Sequence, residues 1–443
     1  MSQSDSGNTT SSSLKWWQLS LAGIGCTIGI GYFLGSAIGI KLTGPSFVFS
    51  FFLAAIGTYF VYNVLAKMTV EDPQEGSFCY YAYKAFGRWA RFGCGWNFWF
   101  SNILIMGSQL IGLALLTQLW FPNIPLWVFS AIYAALSIVV VLLGTDGFDK
   151  VEDILAVIKT AAIFMFILIG GLVVFGVVAD EPVTVNDLPL SSGELFIDGF
   201  TGFWSSLIYA FYAFSGIEVI GIMAIRLKKK EDAPKAGKIM LGLLTVIYVL
   251  SIMIAVLLVP IESFSQDESP FVTALQDYTF SIFPVLFNGA IIIAGFSTLT
   301  AALFGVTTLL VTLAKDKDAP SLFAKKLKRY KDLPIYSIAL GAAGLFLSVI
   351  TALLLPNKIY EYITTAAGIL ILYNWFFIIM SAFKILKMTM YMKVGSSVGI
   401  LLILLAVSGT VMDETIRPGL YLSFLLTGVI CAVTFVMNRK WKH

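Results

Sequence analysis

The chain has a single histidine in 443 residues, and that one is the terminal His443. Its scarcity removes the side chain that most often moves protons or holds metals near neutral pH. The four cysteines, Cys26, Cys79, Cys94 and Cys431, form no CxxC pair and show no metal-ligand spacing, so neither a disulfide framework nor a zinc site is expected, nor any other metal or cofactor. Charge is scarce as well: Asp, Glu, Lys and Arg make up 12% of the residues, against ~25% in an ordinary soluble domain. The net charge is only +3 and the bases sit in short segments between apolar runs, which gives nucleic-acid binding no support. HExxH and GxxxxGK[ST] are both missing, and no pair of carboxylates clusters within an apolar run, so an enzyme is not expected. The polar, Ser-rich stretch over 1–14 lacks the basic-then-apolar order of a secretory signal and reads as a disordered cytoplasmic tail.

What the chain has in abundance is apolar sequence, 58% of its residues. Runs long enough to cross a bilayer occur at about 16–41, 46–67, 92–120, 125–143, 151–178, 199–225, 239–260, 283–314, 335–355, 359–383, 395–412 and 418–438. They are continuously apolar, without the period-two alternation of a β-barrel, so the expected fold is an all-α integral membrane protein of twelve transmembrane helices. Twenty-five of the 29 Lys and Arg residues fall in segments on one side of this arrangement, and Lys41, Lys358 and Arg417 on the other. The positive-inside rule then puts both termini in the cytoplasm, with outer loops at 180–198 and 262–277. The remaining base, Lys159, lies inside the fifth run, and Glu218 is the one acid deep within a run. Intramembrane ionisable groups are expensive, which makes these two the default functional candidates.

The prolines all lie at run ends or in loops, so any interruption of a helix in mid-membrane must come from glycine. The first run carries Gly23, Gly25, Gly29, Gly31 and Gly35, and the sixth carries Ser215-Gly216 before Glu218. Small-xxx-small spacing suits close helix packing for Gly35 and Gly39, while Gly29 and Gly31, matched by the Ser-Gly pair of run six, suit an unwound binding segment. Runs one and six are corresponding members of two five-helix halves of opposite topology, a pattern found in secondary transporters whose substrate sits between two broken helices. Free N–H groups at such a break attract a carboxylate, and free carbonyls accept from an ammonium group. The expected organisation is a first repeat over 15–178, a second over 199–386 and two peripheral helices over 395–438.

Several stretches also resemble the amino acid/polyamine/organocation permease superfamily, in particular its bacterial amino acid permeases. Ile28-Gly-Ile-Gly-Tyr-Phe-Leu-Gly-Ser36 is similar to the I-G-T/S-G-hydrophobic-F stretch of the family's broken first helix. Pro73-Gln-Glu-Gly-Ser-Phe78, Tyr81-Ala82 and Gly95-Trp-Asn-Phe-Trp99 resemble its P-x-x-G-S-F…Y-A…G-W-x-Y-W segment. Phe214-Ser-Gly-Ile-Glu218 resembles its F-x-G-x-E, and Glu152 with Lys159 its E-x6-K. The resemblance implies a leucine-transporter-like 5+5 inverted repeat with two extra helices, alternating access and a central amino acid site. That site would be lined by Thr27, Ile28, Gly29, Ile30 and Gly31 of run one, Phe211, Tyr212, Ala213, Phe214, Ser215 and Gly216 of run six, and Asn102 of run three. By the same resemblance the carboxylate meets N–H groups near Ile30 and Gly31, and the ammonium meets carbonyls near Thr27, Tyr212 and Ser215. The resemblance also implies that Tyr212 or Phe211 would close over the ligand from outside. The family's usual hydroxyl at position 30 is replaced by Ile30, which spares backbone binding but removes a side-chain hydrogen bond.

For Lys159 two readings stand: snorkelling or structural pairing, about eight residues into run five, or a resemblance-based role in which its ammonium takes the place of a coupling sodium ion near Gly25 and Ser297. For Glu218 the readings are a structural hydrogen bond and proton-linked gating. The expected function is a plasma-membrane importer of an amino acid, a neutral one because no pocket carboxylate besides Glu218 is on offer, by proton symport. An exchanger, a polyamine or cationic amino acid permease, and a non-transporting amino acid sensor are the alternatives. The expected partners are an amino acid, protons and the lipid bilayer, with no obligate protein partner evident.

Overall fold

The computed structural model describes residues 14–74, 76–177, 192–276, 282–327, 333–354 and 359–441. The Ser-rich tail to residue 13, most of the expected outer loop at 180–198 and the bases Lys328, Arg329, Lys331, Lys358 and Lys442 lie outside them. Among the described residues the regular structure is helical, which is what an apolar chain in lipid requires, since a helix pairs its own backbone donors and acceptors. In chain order the helices are α1 (Trp16–Thr27), α2 (Ile30–Phe33), α3 (Gly35–Thr43), α4 (Phe47–Glu71), α5 (Ser77–Phe86), α6 (Arg88–Gln118), α7 (Leu126–Leu142), α8 (Thr145–Val174) and α9 (Ser192–Leu195). There follow α10 (Gly199–Ala213), α11 (Ile217–Met223), α12 (Ala233–Leu258), α13 (Pro270–Thr273), α14 (Ile282–Lys315), α15 (Ile335–Leu354), α16 (Ile359–Ile385), α17 (Met390–Gly409) and α18 (Arg417–Trp441).

Nine helical stretches among the described residues are long and apolar enough to cross a membrane. That number is smaller than the count of apolar runs for local reasons. Runs one and six are interrupted, α7 has only 17 residues, and the stretch from Ile30 to Glu71 counts as one, its helices joined through Leu34 and the Gly44-Pro45-Ser46 turn. Several helices begin ahead of their apolar runs, α12 and α8 by six residues and α17 by five; the one that matters below is α8, which begins at Thr145.

The broken helices occupy the centre. α1 packs on α11 and α12, α3 packs on α10, and α2 touches α6, α10 and α14. Each half of the first broken helix thus lies beside the opposite half of the second. Around them α6 packs on α14 and α16, and α4 on α12. The outer faces of α8, α15 and α18 expose large apolar side chains such as Leu168, Phe346 and Leu425. A contiguous apolar exterior of this kind suits hydrocarbon rather than water. At the basic end Asp318 is buried between Arg88 Nε (3.0 Å) and Arg91 Nε (2.7 Å), joining the start of α6 to the end of α14. Arg88 also stacks on Trp441 at the end of α18.

Candidate functional site

The first helix stops after Thr27: Ile28 N–H still bonds the Ile24 carbonyl at 3.1 Å, but Gly29 is fully extended (φ −159°, ψ −170°) before α2 starts at Ile30. The bonds from Gly29, Ile30 and Gly31 back to residues 25–27 are therefore not made. Ile30 N–H donates instead to Gln109 Oε1 of α6 at 3.0 Å. Among the described residues the Gly29 and Gly31 N–H groups have no acceptor. On the carbonyl side, Thr298 Oγ1 donates to Ile28 O and the Tyr360 hydroxyl to Ile30 O, both at 3.3 Å. Gly29 is glycine because of crowding, since a Cβ there would lie 2.7 Å from Thr298 Oγ1. Ile30 is held by glycines of its neighbours: a Cβ on Gly112 or on Gly295 would come within 2.3 Å of its side chain.

The second break lies between Ala213 and Ile217, where Gly216 takes φ +109°, a left-handed conformation that costs a Cβ-bearing residue ~1–2 kcal/mol. Glu218 secures it from within: its carboxylate accepts the Gly216 N–H (3.3 Å) and the Trp375 Nε1–H of α16 (3.1 Å). Ser215 N–H donates to the Tyr212 carbonyl at 3.0 Å, and the Tyr248 hydroxyl caps the Ala213 carbonyl at 3.1 Å. The two breaks adjoin, since a Cβ on Gly216 would stand 3.3 Å from the Cys26 carbonyl oxygen. Tyr212 lies against Gly31, its ring edge 2.5 Å from where a Cβ would be, and its hydroxyl pairs with Ser108 Oγ at 2.7 Å.

Lys159 of α8 is fully buried and donates from Nζ to Ser297 Oγ of α14 at 2.7 Å. Because α8 starts at Thr145, Lys159 lies 14 residues, ~21 Å at ~1.5 Å per residue, into its helix. Its Nζ is held by Ser297 of a neighbouring helix, with the whole side chain buried. Of the other residues singled out from the sequence, Phe211 turns away from the breaks toward Gly57 and the Trp375 ring. Phe214 packs tilted against Phe51 and edge-on against Tyr248. Asn102 donates to the Phe98 carbonyl of its own helix, two turns before Gln109. Gly39 is a packing glycine, its Cβ position filled by the Phe47 ring.

Sequence reasoning missed Gln109, Ser108, Thr298, Tyr360 and Trp375. Gln109 carried a usable signal, being a buried amide on an apolar helix facing Gly112 one turn on. Beyond the breaks, Tyr32 stacks between Tyr248 (4.0 Å) and Phe271 of α13 (5.1 Å) and bonds Ser251 through its hydroxyl, so the site is closed on that side by packed rings. Gly395-Ser-Ser-Val-Gly399 spells G-x-S-x-G, yet it runs through the middle of α17 with Ser397 Oγ donating to the Lys393 carbonyl, not through the strand–turn–helix that chemistry at that motif needs.

The site is thus a polar seam in an apolar bundle, able to hold a carboxylate at one helix end, with a buried lysine close by. The profile described as Amino acid permease matches residues 18–442. The chain is 49% identical over 430 residues to the "Uncharacterized transporter YcgH" of Bacillus subtilis (strain 168), covering 97% of this chain and 96% of that one. It is 28% identical over 459 residues to the "Gamma-aminobutyric acid permease" of the same organism, covering 100% and 96% of the two chains. Against the "Aromatic amino acid transport protein AroP" of Escherichia coli (strain K12) it is 28% identical over 372 residues, 84% and 81% of the two. With permease relatives along nearly its whole length and apolar helices throughout, the protein is a multi-pass membrane transporter and not an enzyme; the chain belongs to the amino acid permease family, within the amino acid/polyamine/organocation superfamily.

Proposed function

We propose that the protein imports a neutral amino acid by proton symport, through twelve membrane-crossing helices arranged as two inverted five-helix units and two peripheral helices, with both termini cytoplasmic. The observation that carries this reading is the break at Ile28–Gly29, which leaves the N–H groups of Gly29, Ile30 and Gly31 outside the helical ladder at the start of α2. A half-helix N-terminus with open donors in a water-poor interior favours an anion, and a carboxylate offers the acceptor pair that fits. The ammonium of the same ligand would meet the Gly25 and Thr27 carbonyls, which lose their helical donors at the break, beside Tyr212 and Ser215.

Neutral substrates are favoured because Glu218, two residues from Gly216 at the second break, is already engaged by Gly216 and Trp375 and so is not positioned to pair with a cationic side chain. The permease names carried by the 28%-identical relatives, γ-aminobutyric acid and aromatic amino acids, fit a zwitterion without a basic side chain. Lys159 on Ser297 supports sodium independence, since a fixed ammonium between α8 and α14 repels a second cation from the same place. Two broken helices that pack on each other and on α6, α14 and α16 support an alternating-access reading.

A thermal-shift screen of the twenty amino acids and γ-aminobutyrate on the detergent-purified protein should identify one or a few neutral ligands, because binding to the folded state raises its melting temperature. Uptake of that ligand into proteoliposomes should then follow an inward proton gradient without sodium. Sodium-dependent uptake, or binding without any uptake, removes the proton-symport reading.

A further inference from the structure

The donor to which the proposed function gives the substrate's carboxylate already has an acceptor. Ile30 N–H bonds the side-chain oxygen of Gln109 at 3.0 Å, and Gln109 is 3% exposed. A primary amide oxygen is the uncharged counterpart of a carboxylate oxygen, with the same sp² geometry. The contact is not slack. The Ile30 side chain is wedged between Gly112, one turn beyond Gln109 on α6, and Gly295 of α14, which holds the backbone of residue 30 against α6. One N–H donor serves one strong acceptor, so a ligand carboxylate and Gln109 exclude each other there.

We infer that Gln109 is a built-in stand-in for the substrate's carboxylate, pairing the broken helix while the site is empty and being displaced by the ligand, so that only carboxylate-bearing molecules bind. This rests on the amino acid reading of the site. An unpaired N–H buried in this interior is costly, and Gln109 removes the cost in the empty protein. A carboxylate competes successfully because charge-assisted bonds are roughly twice as strong as neutral ones. An amine without a carboxylate has nothing to exchange for the amide, which excludes polyamines. The displaced Gln109 has a polar alternative beside it, the Tyr212 hydroxyl with its Ser108 partner. Through Tyr212, which lies over Gly31, ligand entry is felt by the residue that covers the site.

The test measures binding to wild type, Gln109→Ala, Gln109→Met, Gln109→Glu and Gly31→Val, each as the full chain in detergent. The probes are the twenty amino acids, γ-aminobutyrate, 2-phenylethylamine and putrescine. Gln109→Ala, or the near-isosteric Gln109→Met should alanine not fold, should bind the preferred amino acid about three- to tenfold more tightly, the net value of one competing hydrogen bond. It should also melt lower than wild type when empty and show the larger ligand-induced rise. Gln109→Glu, which puts a permanent carboxylate on the donor, should lose binding while remaining folded, and neither amine should bind the wild type. Weaker binding by Gln109→Ala and Gln109→Met overturns the inference, because Gln109 would then touch the substrate as a ligand. Unchanged binding in all three position-109 variants, with Gly31→Val inactive, overturns it while leaving the site reading intact. Normal binding by Gly31→Val, or an amine ligand for the wild type, removes the carboxylate site and this inference together.

Discussion

Gly31→Val is the sharpest perturbation of the site. A Cβ on Gly31 would stand 2.5 Å from Cε1 and 2.9 Å from Cδ1 of Tyr212, whereas carbon atoms rest at ~3.5–4.0 Å, so the ring must withdraw by about 1 Å before the valine methyls are counted. The ring is tethered by its hydroxyl to Ser108 Oγ at 2.7 Å, and withdrawal breaks that bond. Overpacking of this kind costs ~1–3 kcal/mol and a lost hydrogen bond ~1 kcal/mol, so the empty protein should be destabilised by about 2–4 kcal/mol and still fold. Ligand binding suffers separately, because the valine side chain occupies the approach to the Gly29–Gly31 donors. Losing one hydrogen bond to a charged group costs ~1.5–3 kcal/mol, or roughly tenfold to more than a hundredfold in affinity. Calorimetry with the preferred amino acid, on protein that remains monodisperse, reads the affinity, and thermal melting reads the stability. Gly35→Ala is the control, since a Cβ there meets only Tyr209 at 3.7 Å and should be tolerated in both measurements. Wild-type affinity in a folded Gly31→Val protein would refute the assignment of the carboxylate to this break.

Lys159→Met should abolish proton-driven accumulation in proteoliposomes while ligand binding partly persists, because the donors proposed for the carboxylate belong to the α2 backbone and not to the lysine side chain; full accumulation by the variant removes Lys159 from coupling. A cysteine replacing the exposed Leu322 should react with an impermeant thiol reagent only after permeabilisation of cells, and labelling in intact cells would invert the proposed orientation. Asp318→Ala leaves Arg88 and Arg91 facing each other at a buried site; with the arginines 33% and 18% exposed, water relieves part of the ~3–5 kcal/mol of a broken buried pair. A loss of about 2–3 kcal/mol is expected by denaturant or thermal melting, and a change within ~0.5 kcal/mol would show that the cluster is not structural. At the basic end the Lys84 ammonium, 2.6 Å away, holds the Asp72 carboxyl below its ordinary value, so the pair stabilises the protein above the unfolded carboxylate range of ~4 and stops doing so as pH falls below it. Asp72→Asn should flatten that small acid arm of the melting profile; an unchanged arm assigns it elsewhere.

Legibility in the sequence tracked locality. Helix positions followed from apolar runs, and the two breaks were readable because glycines gathered at mid-run in the first helix and a Ser-Gly pair preceded Glu218 in the sixth. Lys159 and Glu218 stood out because a charged side chain in an apolar run is visible without knowing its neighbours. The start of α8 was misjudged, since Thr145–Lys150 is polar and helix capping there depends on Gly144 at φ +82° and not on hydropathy. Phe211 and Tyr212 were indistinguishable as candidate covers, being adjacent aromatics on one helix. Only the packing of α10 against α2 on one side and α4 and α16 on the other separates them.

The sequence alone determined which stretches are apolar enough to cross a bilayer, where two of those helices open, and that Lys159 and Glu218 fall inside apolar runs, because each of these is a property of a few consecutive residues. Tertiary structure decided what meets the opened backbone. Gln109 is 79 residues from Ile30, Trp375 is 157 from Glu218, and Ser297 is 138 from Lys159, and no local pattern encodes those pairings. They arise because a donor or charge stranded in an apolar bundle must find a partner on whichever helix the packing brings beside it, and ridges of side chains fitting against glycines such as Gly112 and Gly295 set which helix that is.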